Sequence, residues 1–210
     1  MTSKLSVSEV HGKLTTFNFS NVAKPGRNKG ERGQLIEVAL GIPNTSNLTD
    51  LVDGELKTFT QGESIAVTQL KHCLSEIIED GVSFADSKVG EKLNQTIYVG
   101  FTRSNDYLGS VVLNAEIDSA HYQQLEEDYN FICDQIRIAF ERGVELDQLG
   151  FFSKGKPSHT ITGPNKLLQI RTKGSKTTKG DYVPLTFAGC TFNNKGMAFY
   201  LCGKFGKEVL

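Results

Sequence analysis

Between Lys29 and Leu40 the chain reads KGERGQLIEVAL, which puts Leu35, Ile36, Ala39 and Leu40 at helical spacing and Gly41 where a helix ends. Glu37 falls inside this helix beside the apolar stripe. A carboxylate there is costly to bury alone, so it is either a rim residue, which the spacing favours, or part of a site. Pro43 to Thr49 is a polar loop. Asp53 to Phe59 alternates as a strand, and Ser64 to Leu70 (SIAVTQL) follows at hairpin distance as a second. His72 to Asp80 reads as a helix ending at Gly81, and Ser83 to Asn94 as loop and short helix. Thr96 to Thr102 and Ser110 to Ala115 read as further strands. The longest helix is predicted from Ser119 to Arg142 and stops at Gly143. Its stripe is Tyr122, Leu125, Tyr129, Ile132, Ile136 and Phe140, with Glu126, Glu127, Asp128, Asp134 and Glu141 at other positions. Leu167 to Arg171, Tyr182 to Phe187 and Met197 to Cys202 complete the strands. The pattern predicts an α/β fold with a mixed central sheet flanked by helices.

The chain has 210 residues, 38% of them hydrophobic, enough for one domain or two closely packed lobes. The lobes would be residues 1–115, with the sheet, and 116–210, with the long helix and the later strands. The N-terminus has no apolar run of signal length, and no later run approaches a bilayer span, so a cytoplasmic protein with no membrane partner is expected. Cys73, Cys133, Cys190 and Cys202 are widely spaced, and His11, His72, His121 and His159 are scattered, which signals neither a disulfide framework nor a zinc site. No histidine is assigned a role.

Charge is distributed unevenly. From Phe151 onward ten basic residues face two acidic ones, a net +8; the whole chain is −1, so the first 150 residues carry −9. Thr172 to Gly180 (TKGSKTTKG) has no apolar residue and suits entry into a nucleic-acid groove. There Arg171 can make a bidentate contact with guanine, Lys176 and Lys179 would meet phosphates, and Lys173 could belong to either group.

The chemistry concentrates at Asp50 and Glu55-Leu56-Lys57. On a strand Glu55 and Lys57 project to the same side, presenting a metal ligand beside a cation. Asp50 adds a second carboxylate for a hard ion such as Mg2+. By itself the arrangement is common in a chain that is 22% charged.

Five segments in order resemble the MutH family of DNA endonucleases, whose restriction-enzyme members have the PD-(D/E)xK fold. They are KGERGQLIEVALG (Lys29 to Gly41), DLVDGELKTF (Asp50 to Phe59), SKVGEKLNQTIYV (Ser87 to Val99), HYQQLEEDYNFICDQI (His121 to Ile136), and LLQIRTKG (Leu167 to Gly174) followed by AFYL (Ala198 to Leu201). The resemblance covers residues 20–205. It implies that Glu37, Asp50, Glu55 and Lys57 are the catalytic carboxylates and lysine, and that Lys92 is a further active-site lysine. By the same resemblance Glu37, Asp50 and Glu55 hold Mg2+, for which Mn2+ can substitute. Lys29 would lie near the scissile phosphate, and Arg171, Lys173 and Tyr200 in the basic C-terminal DNA-reading region. Two departures stand out: the Asp50 to Glu55 interval is short by two residues, leaving Asp53 as a rival first carboxylate, and little chain follows Tyr200. The expected function is a type II restriction endonuclease acting on double-stranded DNA at a short palindrome. It would work with a cognate DNA methyltransferase and would bind DNA as a possible homodimer. The alternatives are a mismatch-repair nicking enzyme of the same family and a DNA-binding module without catalysis.

Overall fold

The computed structural model describes residues 4–25, 30–43, 48–174, 176–193 and 195–210. Its helices are α1 (Val7–Leu14), α2 (Glu31–Leu40), α3 (Lys88–Asn94), α4 (Ser119–Arg142) and α5 (Phe205–Glu208). Its strands are β1 (Glu55–Thr60), β2 (Ile65–Gln69), β3 (Gln95–Phe101), β4 (Tyr107–Asn114), β5 (Phe152–Ser153), β6 (Lys156–Pro157), β7 (Ile161–Thr162), β8 (Leu168–Thr172), β9 (Leu185–Phe187), β10 (Cys190–Asn193) and β11 (Met197–Leu201). The chain forms two compact units, residues 1–65, 91–119 and 203–210 in the first and residues 66–90 and 120–202 in the second.

The first unit is built on a sheet of order β1-β3-β4, with β1 parallel and β4 antiparallel to β3. It is therefore a mixed sheet with helices packed on it. Residues Thr96 to Phe101 of β3 are all buried, which demands a neighbour on each side, and β1 and β4 supply them. Leu56, Ile97, Val99 and Phe101 join Val7, Val10 and Leu14 of α1 and Ile36 and Leu40 of α2 in one core. α1 lies outside the elements expected from the sequence, although Ser6 and Glu9 form its capping box: Glu9 N donates to Ser6 Oγ at 3.2 Å and Ser6 N to Glu9 Oε2 at 2.7 Å. α2 starts at Glu31, and its buried residues are Arg32, Ile36 and Leu40, while Leu35 and Val38 are exposed. The stripe thus runs at four-residue steps from Arg32, not along Leu35 and Ala39. Gly41 ends the helix at φ 79° in the left-handed region.

The expected hairpin of β1 with the strand after it does not form. Instead β2 joins a sheet of order β2-β11-β8-β7, beside β11, and β1 remains an edge strand with β3 as its neighbour. In the second unit α4 has the expected bounds and buries Leu125, Tyr129, Ile132 and Ile136. Tyr129 packs its ring 5.2 Å from Phe84 and 5.8 Å from Phe199. Asp128 departs from the amphipathic reading, since it is fully buried. The strand expected from Tyr182 starts only at Leu185, because Pro184 offers no N–H for a ladder. It turns through Ala188 and Gly189, both at positive φ, into β10. His72 to Asp80 is a 3-10 turn over Leu70–His72 and a π-helical turn over Glu76–Asp80. Among the described residues no helix is long and apolar enough to cross a membrane.

Candidate active site

β1 begins where the backbone passes closest to β3. A Cβ on Gly54 would come within 2.3 Å of Gln95 O and 2.7 Å of Val7 Cγ2, so glycine is required there for space. The next residue, Glu55, is buried to 1% exposure, and the alternation of the strand sets Lys57 beside it while Leu56 enters the core. Lys57 Nζ hydrogen-bonds Glu55 Oε1, and Lys92 Nζ, carried by α3, reaches the same oxygen at 2.9 Å. The other oxygen, Oε2, accepts the Asp50 N–H at 3.0 Å. One buried carboxylate therefore binds two ammonium groups and fixes the backbone of Asp50. Burial is the largest influence on the Glu55 carboxyl and pushes its pKa up, but the two lysines together outweigh it and hold the pKa below the ordinary value.

Glu37 and Asp50 face the opposite balance. Burial raises both carboxyls; Glu55 raises Asp50 further, and Asp50 raises Glu37, against a smaller lowering by Lys57. Glu37 is thus electrostatically part of the group, although the helical spacing favoured a rim position. A Cβ on Gly33 would sit 3.4 Å from Thr58 Oγ1 and 3.7 Å from Glu37 Oε1, which measures how closely α2 approaches β1 at this point. Arg32 anchors the approach: its guanidinium lies 4.2 Å from the centre of the Phe101 ring and its Nη1 is 3.3 Å from Thr60 Oγ1. Asp53 is engaged elsewhere. Its Oδ1 accepts Val7 N at 2.7 Å, at the first turn of α1, and its Oδ2 is 3.4 Å from Gln95 Nε2. Asp53 is therefore committed to a helix end, and Asp50 is the carboxylate placed beside Glu55.

In the second unit, β8 and β11 pair antiparallel with Arg171 opposite Ala198 and Gln169 opposite Tyr200. This register lays the Arg171 guanidinium over the Tyr200 ring, 4.2 Å from its centre. Stacking of this kind holds the planar fork in one orientation. Lys173 N donates to Gly196 O at 3.0 Å and extends the ladder, whereas Lys176 and Lys179 are exposed on the connection beyond it. Lys29 lies outside the described residues, as do Asn44 to Asn47 of the loop after α2.

The sequence reading missed one cluster. Glu145, Asp147 and His159 of the second unit bring one donor atom each within 4.8 Å of one another and could hold a metal ion. His159 Nε2 lies 3.4 Å from Asp147 Oδ2 and 3.8 Å from Glu145 Oε2. The Glu145 side chain also accepts the Gln148 N–H in a capping box. No spacing motif announces the set, since His159 arrives from a separate loop. Among the described residues it is the one set of three drawn so close; Glu37, Asp50 and Glu55 do not close to that distance. Comparison with known proteins gives no match, either to a protein-family model or to a curated protein.

Proposed function

We propose that this chain is a Mg2+-dependent, sequence-specific endonuclease of double-stranded DNA with the PD-(D/E)xK architecture, similar to the restriction branch of the MutH family. The observation that carries the reading is the group Glu37, Asp50, Glu55, Lys57 and Lys92: three carboxylates and two ammonium groups around the start of one strand. Burial, and next a neighbouring carboxylate, raise the pKa of Glu37 and Asp50, a setting in which a cation would favour their charged forms. The donors are all hard oxygens, which fits Mg2+ and not a thiol- or imidazole-seeking metal.

Asp50, Glu55 and Glu37 would hold the ion, which when bound polarises the phosphate and supplies an activated water. Lys57, fixed by Glu55, orients the attacking water toward phosphorus. Lys92 offsets the charge that accumulates on the phosphate oxygens in the transition state. Water adds its oxygen to phosphorus and the 3′-oxygen departs with a proton, giving a 5′-phosphate and a 3′-hydroxyl. Arg171, steadied by Tyr200, is the residue suited to read guanine, with Lys173, Lys176 and Lys179 on the backbone. A cognate DNA methyltransferase is the partner such an activity implies.

Digestion of a plasmid of known sequence with Mg2+ or Mn2+, followed by mapping of the ends, tests the reading. Discrete fragments with 5′-phosphates are expected, and Lys57→Ala should slow cutting by at least about a thousandfold, roughly 4 kcal/mol of barrier. Absence of metal-dependent cleavage, or a fully active Lys57→Ala, would overturn it.

A further inference from the structure

Beyond Lys173 the chain makes a small loop whose geometry singles out two residues with no role so far. Lys176 and Tyr182 form an antiparallel bridge, Thr177 N donates to Asp181 O at 2.7 Å, and Gly180 N donates to Thr177 O at 2.9 Å. This closed loop fixes the Tyr182 ring on the surface, where the residue is 40% exposed. Two ammonium groups lie over that ring: Lys176 Nζ at 5.1 Å from its centre and Lys195 Nζ at 5.2 Å.

The two charges are therefore within roughly 10 Å of each other, a span that one phosphate group and its ester oxygens can bridge. Neither has a carboxylate partner among the described residues, Asp181 included. The negative face of the ring attracts both ammonium groups, and an anion seated between them would add a further attraction. The tyrosine hydroxyl adds a donor of the kind that meets phosphate oxygens. An exposed ring with two cations over it, and no carboxylate paired with them among the described residues, is suited to receive one phosphodiester and its sugar.

We propose that Tyr182, Lys176 and Lys195 form a docking point for a backbone phosphate of duplex DNA. The proposal rests on the endonuclease reading and adds Tyr182 and Lys195 to the DNA-facing residues. The contact contributes affinity to every sequence and no discrimination between bases.

The test is fluorescence anisotropy of a labelled duplex in EDTA, titrated with the full chain between 50 and 200 mM salt. The proteins are wild type, Lys195→Ala, Lys176→Ala/Lys195→Ala, Tyr182→Ala, Tyr182→Phe and the control Lys156→Ala, each checked for folding by circular dichroism. The slope of log K against log salt should shrink by about one for Lys195→Ala and about two for the double variant. Tyr182→Ala should weaken binding about fivefold, whereas Tyr182→Phe, which keeps the ring, should retain most of the wild-type affinity. An unchanged slope in the double variant, or an equal loss in Lys156→Ala, overturns the docking point, as does a preference for single-stranded RNA over duplex. If those results come from a chain that binds and cuts duplex DNA, only this contact fails. A wild type that binds no duplex removes the endonuclease reading together with it.

Discussion

At the residue scale, three carboxylates of similar sequence context have three different fates, and charge environment decides each. Asp53 caps α1, Glu55 pairs with two lysines, and Asp50 is left with its carboxyl raised by burial and by Glu55. A carboxyl with a raised pKa in the folded state favours folding only while protonated, and that contribution is lost as pH rises through the folded value. Asp50→Asn and Glu37→Gln should therefore raise the melting temperature of the metal-free protein by a few degrees at neutral pH, a gain that disappears below the ordinary carboxylate range. The same two changes should abolish cleavage, so that stability and activity move in opposite directions; thermal melts at several pH values in EDTA check this. Glu55 has the reverse sign, because its pKa is lowered: its contribution is present above the ordinary value and lost as pH falls. Glu55→Gln should cost about 3 kcal/mol at neutral pH by leaving Lys57 and Lys92 unpaired. Asp53→Asn should cost about 1 kcal/mol and leave cutting intact, and a variant that cuts poorly while melting normally would move the first metal ligand to Asp53. The pairing of Glu55 with Lys57 was legible from strand alternation. The commitment of Asp53 was not, because its partner Val7 lies on a helix that the expected elements omitted.

At the element scale, the long helix shows both the reach and the limit of periodicity. Its ends and its apolar stripe follow from spacing, but Asp128 occupies a fully buried position that a hydrophobic pattern cannot assign to a carboxylate. Asp128 is there for three backbone donors: Asn165 N at 2.7 Å, Leu167 N at 2.8 Å and Leu168 N at 2.8 Å. It thereby ties α4 to the start of β8, the strand that carries Arg171. Gly163 completes the fit, since a Cβ there would lie 2.2 Å from the Asp128 carboxyl carbon. Asp128→Ala should lower unfolding free energy by about 3 kcal/mol in urea melts, because it strands buried N–H groups. Gly163→Ala should destabilise in the same way, and combining the two should cost less than the sum, as both act through one carboxylate. Full additivity would show that the glycine serves something other than this contact. The hairpin of β9 and β10 and the pairing of β2 escaped the sequence for a related reason: which edge a strand finds depends on partners distant in the chain, whereas periodicity reports only its own faces.

At the scale of the whole molecule, the charge polarity of the sequence does not become a polarity between units. The first unit holds eleven basic and twelve acidic residues, the second twelve of each. The basic residues from Lys154 to Lys195 are balanced within the second unit by acids on α4 and around Glu76 to Asp80, so net charge gives no account of DNA binding. On the endonuclease reading, binding comes from local segregation of charge, as on the connection from Arg171 to Tyr182 and at Lys195. On the endonuclease reading, the carboxylates Glu37 and Asp50 of the first unit act on the phosphate placed against them. In EDTA, where no ion offsets Glu37 and Asp50, they repel that phosphate, and Asp50→Asn should bind duplex DNA about fivefold more tightly than wild type, the scale of one charge a few ångströms away in a watery setting. The advantage should be largest at 50 mM salt, shrink at 200 mM, and vanish for wild type supplied with enough divalent cation to fill the site. Anisotropy titrations at both salts measure it. Equal affinities in EDTA would mean that no phosphate comes near Asp50, and would remove the electrostatic basis for placing the scissile bond at β1.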